Sequence, residues 1–90
     1  MVELVVTVPN KLGIHARPAA MIVRAAVEFD SEIWLESPAD KVNAKSIMGV
    51  MTLAASGGTS VTVSAAGDDE TTAVEAVADV IKSGFGEEMI

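Results

Sequence analysis

Leu4, Val6 and Val8 alternate with Val5 and Thr7, and this two-residue period predicts a half-buried strand. Pro9-Asn10-Lys11-Leu12-Gly13 breaks the pattern. The period then lengthens. Ala19, Ile22, Val23 and Ala26 fall at i, i+3, i+4 and i+7, the apolar stripe of a helix that starts just after His15. Pro18 suits the first turn of that helix, where its missing N–H costs nothing.

Ile33 and Leu35 alternate with Glu32, Trp34 and Glu36, which predicts a second strand. Ser37-Pro38-Ala39-Asp40 is a turn signal, and a short strand from Lys41 to Ala44 completes a hairpin. Trp34 lies on the outward register, a sheet-surface position with no evident task. Ser46 is placed to cap a short helix running from Ile47 to about Ala54. On that helix Ile47, Val50 and Ala54 point one way, while Met48 and Met51 point elsewhere. Beyond Gly57-Gly58, Val61, Val63 and Ala65 alternate with Thr62 and Ser64 as a fourth strand. Val74, Val77, Ala78 and Ile81 form the stripe of a last helix. Asp68, Asp69 and Glu70 put negative charge at its start, where the helix dipole favours it. Lys82 and Gly84 mark its end.

The element order is therefore β-α-β-β-α-β-α. Each strand has one apolar face and each helix one apolar stripe. A single four-stranded sheet with all three helices on one face buries every one of them, as an α+β two-layer domain.

Size and composition narrow the function. Ninety residues leave room for one small domain, expected to span 1–90, with a thin core. The net charge of -7 argues against nucleic acid, whose binding draws on Lys and Arg. No apolar run approaches the ~20 residues of a membrane span, so no membrane insertion is expected. Val2 to Val8 lacks a basic lead-in and a long apolar region, so no signal peptide is expected and the cytoplasm is the anticipated location. There is no Cys, and His15 is the only His. Thiolate and multi-His metal sites are excluded, and no cofactor or metal is expected.

The candidate chemistry lies at Gly13-Ile14-His15-Ala16-Arg17-Pro18. His15 stands between a glycine-containing loop and a helix start. The first N–H groups of that helix lack internal partners and favour an anion in front of them. Arg17 adds a planar cationic fork suited to phosphate oxygens. An unprotonated imidazole can attack phosphorus and form a phosphoramidate. A lone His before a helix is more often a cap or a surface residue, so the six-residue context carries the reading.

Two longer segments sharpen it. Asn10-Lys11-x-Gly13-Ile14-His15-Ala16-Arg17-Pro18-Ala19 resembles the active-site signature of the HPr family. Val42-Asn43-Ala44-Lys45-Ser46-Ile47-Met48-Gly49-Val50-Met51-x-Leu53-Ala54 resembles its second signature. The likeness covers nearly the whole chain, including the closing Gly84-Phe85-Gly86-Glu87. It implies an open-faced antiparallel sheet under helices. It also implies a phosphoryl carrier of the bacterial sugar phosphotransferase system with no turnover reaction of its own. His15 would take the group on Nδ1 from enzyme I, itself charged from phosphoenolpyruvate, and pass it to an enzyme IIA domain. Arg17 would neutralise the phosphoryl charge. Ser46 would be a regulatory phosphorylation site in hosts with an HPr kinase/phosphorylase, and phosphorylation there would favour a catabolite-control repressor as partner. Ala16, Ala20, Arg24, Ile47, Met48 and Met51 would form the docking surface of a monomer. Lys11, Arg17, Arg24 and Lys45 would make that surface locally basic. Enteric members have further lysines at the positions of Val27 and Gly49, a departure that bears on cross-reactivity with enteric partners.

Three other readings compete. A nitrogen-related phosphotransferase carrier shares the first signature, and Asn10-Lys11-Leu12-Gly13 suits one, but the intact Lys45-to-Gly49 segment favours the sugar branch. A purely regulatory module acting through Ser46 loses support because His15 is present. A small enzyme using His15 as general base has too little material for a closed pocket.

Overall fold

A computed structural model describes residues 1–90. The elements follow the expected order: β1 (Val2–Thr7), α1 (Ala16–Ala26), β2 (Glu32–Glu36), β3 (Lys41–Asn43), α2 (Ile47–Leu53), β4 (Ser60–Ala66) and α3 (Glu70–Lys82). The four strands form one sheet in the order β1-β4-β2-β3, and every neighbouring pair is antiparallel. The helices cover one face and leave the other open, an open-faced α+β sandwich.

Alternation decides which side chains meet the helices. Ile33, Leu35, Val61, Val63 and Ala65 are buried on the sheet, and Ile22, Val74, Val77 and Ile81 are buried beneath α1 and α3. Register keeps these sets together: Leu35 stands opposite Val63 on one side and Val42 on the other. A one-residue slip would turn each set to solvent, so the apolar pattern itself holds the pairing in place. Only one aromatic side chain enters the core. It is Phe85, the largest fully buried side chain of the molecule. On the open face the Lys41 ammonium lies 5.3 Å from the centroid of the half-buried Trp34 ring. That contact gives Trp34 a cation–π partner, worth ~0.5–1 kcal/mol at an exposed site.

Four details depart from the sequence reading. Leu4 is 39% exposed, because it lies on the edge strand where α3 leaves it partly uncovered. On α2 the buried residues are Val50 and Leu53, while Ile47 is 46% exposed and Ala54 lies outside the helix. The helix ends at Leu53 and Ala54 turns left-handed at φ 50°, so the inward stripe is displaced from Ile47-Val50-Ala54. A further tight turn at Gly84–Gly86 follows α3, and Met89 forms a β-bridge with Asn10.

The fourth departure is Asp69. It is the N-cap of α3 but makes no side-chain bond to that helix. Its carboxylate instead accepts from the Asp30 amide at 2.9 Å, the Ser31 amide at 3.0 Å and the Ser31 hydroxyl. It thereby ties the turn after α1 to the start of α3. The Ser31 hydroxyl, followed by the Asp30 amide, holds the Asp69 carboxyl below its ordinary value of 3.8. A group depressed in this way stabilises the fold fully above its ordinary value, and the effect is lost as pH falls through the lower, folded value. Asp69→Asn is therefore expected to melt below the parent at neutral pH, with the two melting temperatures converging in acid. A gap independent of pH would refute this role.

Candidate functional site

The loop before α1 is built around Gly13, at φ +73°. A Cβ there would fall 2.3 Å from the Ala55 carbonyl oxygen, so no side chain fits. The close approach lets the Ile14 amide donate to that carbonyl at 2.8 Å, and Ile14 is buried in the core. The next residue, His15, leaves the loop as the N-cap of α1 with extended backbone angles and no side-chain cap bond. Its carbonyl accepts the Ala19 amide at 2.9 Å. The imidazole is thus free of the helix and 41% exposed at its positive end.

The ring does not stand alone. His15 Nε2 lies 2.7 Å from Glu87 Oε2. Arg17, in the first turn, donates from Nη1 to the Phe85 carbonyl at 3.0 Å and reaches the same Glu87 oxygen at 3.4 Å. Asn10, completely buried, donates from Nδ2 to the Gly13 carbonyl at 2.9 Å and to Glu87 Oε1 at 3.0 Å. Partial burial pushes the Glu87 carboxyl up. Hydrogen bonds from Asn10 and His15, with the charges of His15 and Arg17, outweigh this and hold it below its ordinary value. An anion therefore rests where the sequence reading places one, but it is the protein's own carboxylate.

The sequence reading brought His15 and Arg17 together and missed Glu87 and Asn10. Seventy-two residues separate His15 from Glu87, and local periodicity carries no information over that distance. The only available signal was the closing Gly84-Phe85-Gly86-Glu87 segment.

Ser46 takes its expected place. Its hydroxyl accepts the Gly49 amide at 3.0 Å as the N-cap of α2. Ser46→Ala is expected to cost ~1 kcal/mol in chemical denaturation; a change near zero would show that the cap carries no weight. α2 packs against α1. Of the expected docking residues, Ala16, Arg24, Ile47, Met48 and Met51 are exposed, with Met48 at 77%, and Ala20 is half-buried. The basic character expected for this face is reduced. Lys11 pairs with Glu88 at 2.8 Å and Arg17 faces Glu87, while the Lys45 ammonium donates to the neutral Phe29 carbonyl at 2.7 Å and keeps its charge. Arg24 alone of the four has no such partner. No group of three or more His, Cys, Asp and Glu side chains is placed to hold a metal, and no helix is long and apolar enough to cross a membrane.

Comparison with known proteins bears on this geometry. Residues 2–83 match the family described as PTS HPr component phosphorylation site. The phosphocarrier protein HPr of Treponema pallidum is 48% identical over 98% of this chain and 100% of its own. The HPr-like protein Crh of Bacillus subtilis is 50% identical over 91% of this chain and 96% of its own. The crystal structure of HPr-C-His from Thermoanaerobacter tengcongensis superposes with a TM-score of 0.91 at 53% identity, covering 99% of this chain and 100% of that one. HPr from that organism has also been solved as a dimer, so the expectation of a monomer gains no support. Two signatures, the open-faced fold and matches over nearly full length agree, and the chain belongs to the HPr family of phosphocarrier proteins of the bacterial phosphotransferase system.

Proposed function

We propose that this chain accepts a phosphoryl group on Nδ1 of His15 from phospho-enzyme I and passes it to an enzyme IIA domain for sugar uptake. One observation carries the reading: an imidazole and a guanidinium share one carboxylate in front of a helix N-terminus. With Nε2 engaged by Glu87, Nδ1 is the ring atom left to act as nucleophile. Its lone pair forms the new N–P bond while the bond from phosphorus to its donor breaks. The phosphoryl group brings further negative charge beside Glu87. Arg17 then exchanges its weaker 3.4 Å contact with Glu87 for the phosphoryl oxygens, which its fork fits. The first amides of α1 supply the remaining donors. The N–P bond holds the group, and helix-end interactions of ~0.3–1 kcal/mol steady its charge without making transfer onward costly.

The exposed Ile47, Met48 and Met51 beside this site suit docking to more than one partner, since methionine adapts to different surfaces. The carrier role favours the cytoplasm as the place where the chain works. Phosphorylation of Ser46 would put about -2 charge on α2 and oppose docking of enzyme I. The 50% identity to Crh favours a second reading, regulation through Ser46 alone by way of a kinase and a catabolite-control repressor. The deciding experiment is intact mass after incubation with phosphoenolpyruvate and a matched enzyme I. One acid-labile phosphate supports the carrier. No gain with several active enzyme I preparations leaves the regulatory reading.

A further inference from the structure

We infer that Asn10 and Glu87 act as a positioning pair that fixes where the His15 ring carries its proton, and so decides which nitrogen is the nucleophile. The geometry stands by itself, while its consequence for rate rests on the carrier reading above. Glu87 lies beyond residue 83, where the family match ends.

The chain of hydrogen bonds has only one workable polarity. The Gly13 carbonyl can only accept, so the Asn10 amide must turn its nitrogen toward it. That orientation leaves Asn10 Oδ1 buried without a partner, a cost the two donated bonds account for. The second N–H of the same nitrogen then faces Glu87 Oε1. Glu87 Oε2 faces His15 Nε2. The carboxylate, held below its ordinary value, has no proton to give at neutral pH. Nε2 must therefore donate, and the neutral ring keeps its lone pair on Nδ1.

Glu87 is held in place for this. Its side chain is 14% exposed, whereas that of neighbouring Glu88 is 75% exposed. The segment after α3 is pinned on both sides of it. The Glu87 amide donates to the Gly84 carbonyl at 3.0 Å, the Lys11 amide to the Glu88 carbonyl at 2.9 Å, and the Ile90 amide to the Pro9 carbonyl at 2.8 Å. Met89 packs on Gly84, where a Cβ would meet its sulfur at 2.2 Å.

The pair predicts an unusual order of variants. In Glu87→Gln the fixed Asn10 donor draws the new amide's carbonyl toward itself and turns its NH2 toward His15. The ring must then accept on Nε2 and carry its proton on Nδ1. In Glu87→Ala nothing orients the ring and both forms coexist. Long-range 1H–15N correlation of the His15 ring, at alkaline pH where the ring is neutral, should read Nε2–H in the parent, mainly Nδ1–H in Glu87→Gln and a mixture in Glu87→Ala. Acceptance of phosphate from enzyme I should be slowest in Glu87→Gln, by roughly 10–100-fold, the range in which outer groups that orient an imidazole matter. Glu87→Ala should fall between. A purely structural role would make the alanine variant the worse of the two, and that order would overturn the inference. So would a parent ring protonated on Nδ1, or no tautomer change in Glu87→Gln. If the ring proton moves as expected but the parent takes no phosphate on His15, the carrier reading falls and the positioning pair stands.

Discussion

His15→Ala is expected to take up no phosphate from phospho-enzyme I, while Ser46→Ala charges at close to the parent rate. His15 is the only imidazole, and the chain has no Cys or Tyr to stand in for it. The remaining candidates are hydroxyls, lysine amines and carboxylates, and the one carboxylate beside Arg17 and His15, Glu87, is an anion already engaged by Asn10, His15 and Arg17. The loss should not come from unfolding. The His15 side chain is 41% exposed and caps nothing. Glu87 keeps Asn10 and Arg17 as partners when the ring is removed. Stability should therefore change within about 0.5 kcal/mol, as for surface sites generally. Ser46→Ala makes the useful contrast, because it loosens α2 without touching the nucleophile. Intact mass before and after mild acid reads both variants at once. A full acid-labile phosphate on His15→Ala, or equal loss in both, would mean that the nucleophile is misassigned.

Phe85→Ala is expected to produce the largest loss of stability, about 3–5 kcal/mol. Phe85 is 1% exposed and is the only aromatic side chain in a core otherwise made of Val, Ile, Leu and Ala. Small aliphatic neighbours cannot swing in to fill a ring-sized space. Nor does the substitution relieve the backbone: Phe85 sits at φ +61°, as strained for Ala as for Phe. Small domains have only about 5–15 kcal/mol in total, so the variant should survive narrowly. Chemical denaturation measures the loss, and a change under about 1 kcal/mol would contradict the packing argument. A second effect is expected at the site. The Phe85 carbonyl accepts from Arg17, and the turn it anchors carries Glu87. Freeing that turn should broaden or shift the His15 ring resonances even in protein that remains folded.

The sequence by itself determined the elements, the layer they form and the nucleophile's place among them. Apolar period is a local property, so Ile33-Leu35, Val61-Val63-Ala65 and Val74-Val77-Ala78-Ile81 announced their buried faces, and the structure buries each of them. Gly13, His15, Arg17 and Pro18 are neighbours in the chain, and a loop running into a helix start brings them together without help from elsewhere. Ser46 could be read as a cap for the same reason. Faces were less legible where an element was short or ended early. Ile47 and Ala54 fit a stripe only if α2 continued, and it stops at Leu53. Asp69 looked like a dipole partner of its own helix, and the tertiary structure gave it to Ser31 instead. The strand order β1-β4-β2-β3 and the return of the last residues past Asn10 were decided only by the packed fold. So was the carboxylate at the centre of the site. Glu87 and Glu88 are the same residue type side by side, and nothing local separates them. One meets Asn10, His15 and Arg17, and the other meets Lys11 at the surface, because the turn at Phe85 is anchored in a core built from the rest of the chain.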